Sequence, residues 1–278
     1  MSQTELSNVD LYLQRLGFDS PPPPTLESLR ELQSRHTCVF PFETLSTMLR
    51  LPVPIDLASV ERKILYAGRG GYCYELNNMF LALLLHLGFE ARGITGRVVM
   101  GGPEDALVAR THRLCLVTVS GVRYIADVGF GGMVPTAPLR LDTEEEQPTG
   151  HEPYRIVHQD SSYILRAKVA GEWRPMYVFD LQMQSDIDYQ IGNWYVCTHP
   201  QSPFMGQLMV ARTGEGLRRT LNNGSYAVHR TGLESVRRQI TAVDELIELL
   251  EREFEIRVPH HPEFRQVVGQ VIAPQPML

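Results

Sequence analysis

The sequence predicts an α+β chain with a helical N-terminal third, a β-rich middle and a smaller mixed piece at the C-terminus. Two changes in hydrophobic pattern carry that reading. Up to about residue 90, apolar residues recur at helical spacing between proline and glycine breaks. From about Gly93 they give way to β-branched runs bounded by turn residues, and beyond a proline-rich connector near residue 200 strand-like pieces are followed by a helix. The implied division is 1–90, 91–195 and 196–278. On this reading the segment after about Ser202 is a lid that the N-terminal bundle can fold without.

Each element has its own signal. Val9, Tyr12, Leu13 and Leu16 form a short stripe closed by Gly17 and the SPPPPT segment. Thr25 can cap a second helix that starts with Leu26, Leu29 and Leu32, and Asp56 a third with Leu57, Val60, Ile64 and Leu65 inward. The longest stripe is Leu76, Met79, Phe80, Leu83, Leu84 and Leu87, with Gly88 placed to end it. The runs ITGRVVM, RLCLVTV, VRYIADVGF, YRIVHQ and SYILRAKV read as strands of an antiparallel sheet or small barrel. LDTEEEQPTGHEP reads as a solvated loop. QLMVART and YAVHR read as two further strands, and a helix from about Val243 to Phe254 follows a capping box of Thr241 and Asp244.

Composition removes several function classes. Of 278 residues, 43% are hydrophobic and 21% charged, which is ordinary for a globular protein. A formal net charge of -6 provides no basic face for nucleic acid. The opening MSQTELSNVDLYLQRLGF lacks the pattern of a secretory signal, and the longest apolar run, MFLALLL, is too short to span a bilayer, so a cytoplasmic protein with no membrane partner is expected. Cys38, Cys73, Cys115 and Cys197 are scattered with no CxxC pair. They read as individual thiols, with neither a disulfide framework nor a metal site.

One of these thiols is placed for chemistry. In RGGYCYELN, Cys73 stands where the longest helical stripe begins, and the unpaired N–H groups and positive dipole there stabilise a thiolate. Gly70 and Gly71 suggest an approach to the sulfur free of side chains. The plainer alternative is a buried structural cysteine beside a glycine turn. A partner is encoded in THRLCLVTVSGVRYIADVGFGG, where Ser120-Gly121 reads as a two-residue hairpin turn that pairs Val119 with Val122. In that register Leu114 opposes Asp127 and His112 opposes Gly129, so His112 and Asp127 become diagonal neighbours on one face. A slip of one residue would separate them. An oriented imidazole beside a carboxylate can take the proton of a thiol. His86 reads as an ordinary helix residue and His260-His261 as a turn.

RGGYCYELN, THRLCL and DVGFGG, in this order, strongly resemble the arylamine N-acetyltransferase family. CVFPFETL is similar to the family's PFEN segment, and NWYVCTHPQSPF to its NWY, STHP and SPF segments. The resemblance runs over nearly the whole chain. It implies a helical bundle, an antiparallel β-barrel and an α/β lid, with a cysteine-protease-like triad of Cys73, His112 and Asp127. It also implies acetyl-CoA as donor, an arylamine, hydrazine or arylhydroxylamine as acceptor, and a ping-pong route through an acetyl-cysteine. Phe42, Val98 and Phe130 match the family's substrate-pocket positions, and Thr111 and Gly131 match positions near the thioester. Thr44 and Cys197 depart from the pattern, standing where the family usually has Asn and Ser. A macrolactam-closing amide synthase of the same fold, a cysteine hydrolase and a non-catalytic CoA-binding module remain as competing readings. Assembly into a homo-oligomer, the acceptor amine and the choice among short acyl donors are left open.

Overall fold

The computed structural model describes residues 5–273. The N-terminal third holds α1 (Val9–Arg15), α2 (Leu26–Val39), β1 (Phe42–Glu43), α3 (Leu45–Met48), α4 (Leu57–Glu61) and α5 (Cys73–His86). Thr25 Oγ1 accepts the Ser28 N–H at 3.2 Å and Asp56 Oδ1 the Ser59 N–H at 2.9 Å, so both predicted caps form. α4 widens into a π-helical turn over Arg62–Tyr66. The six stripe residues of α5 are all buried, and Gly88 ends the helix at φ +82°, a conformation that favours glycine.

The middle of the chain forms one antiparallel sheet of seven strands. These are β2 (Glu90–Val98), β3 (Arg110–Val119), β4 (Val122–Ala126), β5 (Leu139–Arg140), β6 (Tyr154–Gln159), β7 (Ser162–Val169) and β8 (Glu172–Phe179), ordered β5-β4-β3-β2-β8-β7-β6. Ser120 and Gly121 both have positive φ, 51° and 78°, as a tight two-residue hairpin turn requires. The ladder runs from Val119 opposite Val122 to Cys115 opposite Ala126, which is the predicted register. β8 escaped the sequence reading because Pro175 interrupts it; the proline sits where the pairing with β7 shifts register, the place where a strand tolerates a missing donor. The sheet curls until its edges nearly meet. Gln147 joins them: its backbone pairs with Tyr154 of β6 at 2.7 and 2.9 Å, and its side-chain amide pairs with the Arg140 backbone of β5 at 2.8 and 3.0 Å. The acidic loop is therefore mostly solvated as expected, but Gln147 within it is a staple.

The remaining elements are α6 (Asp186–Thr198), β9 (Met209–Gly214), β10 (Leu217–Asn222), β11 (Ser225–Arg230), β12 (Val236–Gln239), α7 (Val243–Arg252) and α8 (Phe264–Ile272). The expected boundary at 195/196 falls inside α6, which carries the NWYVC stretch, and the proline-rich connector follows the helix. α7 begins at Val243 as expected, yet its N-cap is Ala242 and no side chain caps it, so the box of Thr241 and Asp244 does not form. β1 joins these C-terminal strands in a sheet ordered β1-β9-β10-β11-β12, with Phe42 opposite Ala211.

β3 divides the interior in two. Cys115 and Val117 face the apolar cluster of α1, α2 and α5, whereas Leu114 and Leu116 face the cluster inside the curled sheet. A third cluster mixes Leu45, Met48 and Leu49 of the helical third with Leu208, Leu246, Phe254 and Val268. Because of that mixing, ending the chain after Ser202 strips β1 and α3 of their partners. The truncated protein is expected to melt at lower temperature and to bind a hydrophobic dye; melting like the full chain would show that the bundle is independent of this layer.

Candidate active site

The approach to Cys73 is fixed by backbone contact and buried charge. Glu43 donates its N–H to the Gly71 carbonyl at 3.0 Å, and the Gly71 N–H reaches the Pro41 carbonyl at 3.2 Å. A Cβ on Gly70 would strike the Pro41 carbonyl oxygen, and one on Gly71 would lie 2.9 Å from the Glu75 side chain. The two glycines thus let backbones touch, and neither lines a route to the sulfur, contrary to the sequence reading. The Glu43 carboxylate takes the Arg69 guanidinium at 2.7 and 3.0 Å and the Leu45 N–H at 2.6 Å. Glu75 takes Lys63 at 2.7 Å and caps α5 by accepting the Tyr72 N–H at 3.1 Å. Burial disfavours both charges; Arg69 and Lys63 still hold Glu43 below the usual carboxylate range, whereas burial keeps Glu75 above it.

Cys73 is the first residue of α5 and is 3% exposed. Its thiol points to the Thr111 carbonyl at 3.6 Å. His112 on β3 puts Nε2 2.7 Å from Asp127 Oδ2, which leaves Nδ1 free on the side of the ring away from the carboxylate, and His112 and Cys73 line the same cavity. Asp127, fully buried one residue beyond the β3–β4 ladder, also accepts the Tyr177 hydroxyl at 3.1 Å, the Asn77 amide at 2.9 Å and the Gly129 N–H at 2.9 Å. Burial alone would lower the His112 pKa, but the Asp127 charge, the hydrogen bond to Asp127 and the nearby Cys73 side chain hold it up at about 10. Burial likewise opposes the Asp127 charge, yet His112, Asn77 and Gly129 hold its carboxyl below the usual range.

Phe42, Val98, Thr111, Phe130 and Gly131 line one cavity of about 350 Å³ together with Cys73 and His112. Asp127 sits behind the imidazole and is absent from that lining. Several site residues went unnamed by sequence reasoning. Asn77, one turn past Cys73, gives its amide to Asp127 and to the Arg113 carbonyl at 2.7 Å and accepts the Val128 N–H at 3.0 Å; a polar residue beside the apolar stripe was its signal. Tyr177 lies on β8, the unpredicted strand, and Gln33, which holds the Asp127 carbonyl at 3.2 Å, had no signal at all. Phe204 closes the cavity against Phe42, with ring centroids 6.0 Å apart. Neither Thr44 nor Cys197 reaches the cavity; the Thr44 hydroxyl bonds Gln207 and Met209 of the C-terminal layer at 2.8 Å each. Among the described residues no group of three His, Cys, Asp or Glu side chains could hold a metal ion.

The geometry has counterparts among known proteins. The profile of a family described as N-acetyltransferase matches residues 25–263. The arylamine N-acetyltransferase / N-hydroxyarylamine O-acetyltransferase of Salmonella typhimurium is 40% identical over 249 residues, covering 89% of this chain and 86% of that protein. The structure of the M. smegmatis arylamine N-acetyltransferase superposes with a TM-score of 0.91 at 36% identity, over 96% of this chain and 99% of that one. That of the Mycobacterium marinum arylamine N-acetyltransferase in complex with CoA has a TM-score of 0.88 at 36% identity, over 95% and 98%.

Two outcomes are expected from this packing. A Cβ on Gly129 would lie 2.7 Å from the Cys73 Cα, so Gly129→Ala should cost about 1–3 kcal/mol in chemical denaturation. Gly102→Ala, where the nearest atom is 3.8 Å away, should cost little. The second outcome is a pH dependence. The raised His112 pKa adds stability that is whole below its ordinary 6.5 and is lost as pH rises through about 10. The lowered Asp127 pKa adds stability present above its ordinary 3.8 and lost as pH falls through the depressed value. Urea titrations should therefore find the stability gap between the native chain and His112→Gln widest near pH 5–6 and narrower above pH 10. A gap that does not change with pH would contradict the ion pair.

Proposed function

The chain belongs to the arylamine N-acetyltransferase family and is an acetyltransferase, and from that premise we propose that Cys73 carries an acetyl group from acetyl-CoA to an aromatic amine. Arylhydrazines are acceptors of the same kind, and the oxygen of an arylhydroxylamine is a further one. The observation that carries the reading is the His112 ring, which binds Asp127 through Nε2 and lines one cavity with Cys73.

In the first half-reaction His112 holds the thiol proton of Cys73 and the sulfur attacks the acetyl carbonyl. The new C–S bond to Cys73 forms, the C–S bond to CoA breaks, and His112 returns its proton to the departing CoA sulfur. In the second half the amine nitrogen attacks the acetyl-Cys73 carbonyl, His112 takes the proton that the nitrogen sheds, and the proton goes back to Cys73 as the thioester breaks. The route is ping-pong. Negative charge on the carbonyl oxygen falls at the start of α5. There the Tyr72 N–H is bound to Glu75 and the Glu75 N–H to the Tyr72 carbonyl, leaving the Cys73 and Tyr74 N–H groups as donors. An arylamine is largely unprotonated at neutral pH and needs no further activation.

The donor is assigned to acetyl-CoA partly because the M. marinum relative was solved in complex with CoA. Residues beyond 196 supply Phe204, Met209 and Thr220 to the cavity and are placed to close it over the thioester. A volume of about 350 Å³ suits an acetyl group and one aryl ring better than the long acyl chain of a macrolactam precursor.

Acetyl-CoA without amine should add one acetyl group to the protein and release one equivalent of CoA. Cys73→Ala should abolish this, and Asp127→Asn should slow it by roughly 10⁴-fold, the scale of the comparable change in a serine triad. Iodoacetamide should reach Cys73 well before Cys115, whose thiol burial pushes up to about 12. Mass mapping of the label decides the matter: acetyl appearing first on another cysteine, or transfer persisting in Cys73→Ala, would remove the proposed nucleophile.

A further inference from the structure

The residue after His112 faces the opposite way along β3 and ends in a second cavity, of about 570 Å³, behind the nucleophile helix. Arg113 is 6% exposed, and among the described residues no carboxylate lies within ion-pairing distance of it and its Nε has no acceptor. A buried guanidinium without an anion is costly and uncommon. What surrounds it is a fitted socket. The Tyr189 ring lies under the guanidinium, 4.1 Å from its carbon to the ring centroid, and Gly93 makes room for the pair, since a Cβ there would strike the Tyr189 hydroxyl. Val53, Ile55, Leu81 and Leu85 give the cavity an apolar side. That side is itself held in place, because Asn78 donates to the Ile55 carbonyl at 2.7 Å and Asn193 to the Val53 carbonyl at 2.9 Å. Two carboxylates border the same cavity, Asp186, exposed in the first turn of α6, and Asp56, exposed at the cap of α4.

We propose that this cavity is a binding site for a monocarboxylate with an apolar tail, distinct from the acetyl-transfer site. The carboxylate meets the planar donor fork of Arg113, and the tail lies against Val53, Ile55 and Leu81. Occupancy supplies the anion that the buried cation lacks. Asp56 and Asp186 stand at the rim and compete weakly for the same charge.

The test is an NMR titration of the unmodified protein, following the Arg113 Nε–Hε resonance as benzoate or octanoate is added. Arg113 is absent from the lining of the Cys73 cavity, so a ligand held there does not touch this reporter. A saturable shift in the millimolar range or tighter is expected from a ligand of this size, larger with benzoate if the natural tail is aryl and with octanoate if it is alkyl. Benzamide and octanamide should give none. Arg113→Gln should weaken carboxylate binding, followed on neighbouring amide resonances of α5, by about 10-fold or more. Should that variant fail to fold, Leu85→Glu, at a position 51% exposed, keeps the fold and sets a like charge at the rim; it should weaken binding about 3-fold, whereas Asp186→Asn should strengthen it. No shift with either acid, equal shifts with the neutral amides, or affinity unchanged in Leu85→Glu would overturn the proposal.

Discussion

The structure hangs on one carboxylate that water does not reach. Asp127 accepts hydrogen bonds from His112 of β3, Tyr177 of β8, Asn77 of α5 and its own neighbour Gly129, while Gln33 of α2 holds its carbonyl. A buried charge is tolerated only when its lone pairs are met, and meeting these requires three elements from two segments of the chain, α5, β3 and β8, to arrive together. The same bonds orient the imidazole. Fold and site are therefore not separable at this residue: what stabilises the charge also aims His112 at Cys73.

How much of this was legible in the sequence follows from how local each signal is. The α5 stripe and the turn at Ser120-Gly121 are local, and they placed Cys73 at a helix start and His112 and Asp127 in register before any tertiary contact was known. Contacts between distant segments were readable only through the family resemblance, which brought Phe42, Val98, Thr111, Phe130 and Gly131 to one cavity. Neither source named Gln33, which lies 94 residues from Asp127. Gly70 and Gly71 signal in the sequence that space is needed but not what fills it; the occupants are Pro41 and Glu75. β8 was lost to Pro175, a residue that argues against a strand unless a shift in pairing is known to accommodate it.

β3 also shows how one strand can serve two chambers. Its period of two sends His112 toward the Cys73 cavity and Arg113 toward the cavity behind α5, while Cys115, on the same side as Arg113, packs into the helical core. Asn77 links the two sides, since its amide holds both the Arg113 carbonyl and the Asp127 carboxylate.

The pairing of β1 with β9 has a consequence for the order in which the protein matures. Phe42 and Glu43 are synthesised well before their strand partners Ala211 and Val210, and before the Gln207 carbonyl that binds the Thr44 hydroxyl 163 residues away. Cys73 is thus made long before the wall that encloses it. Closing so long a loop is entropically slow, so the nascent chain carries Cys73 for a long stretch of synthesis with the cavity around it unfinished. The wall around Cys73 is therefore completed by residues that never touch the sulfur.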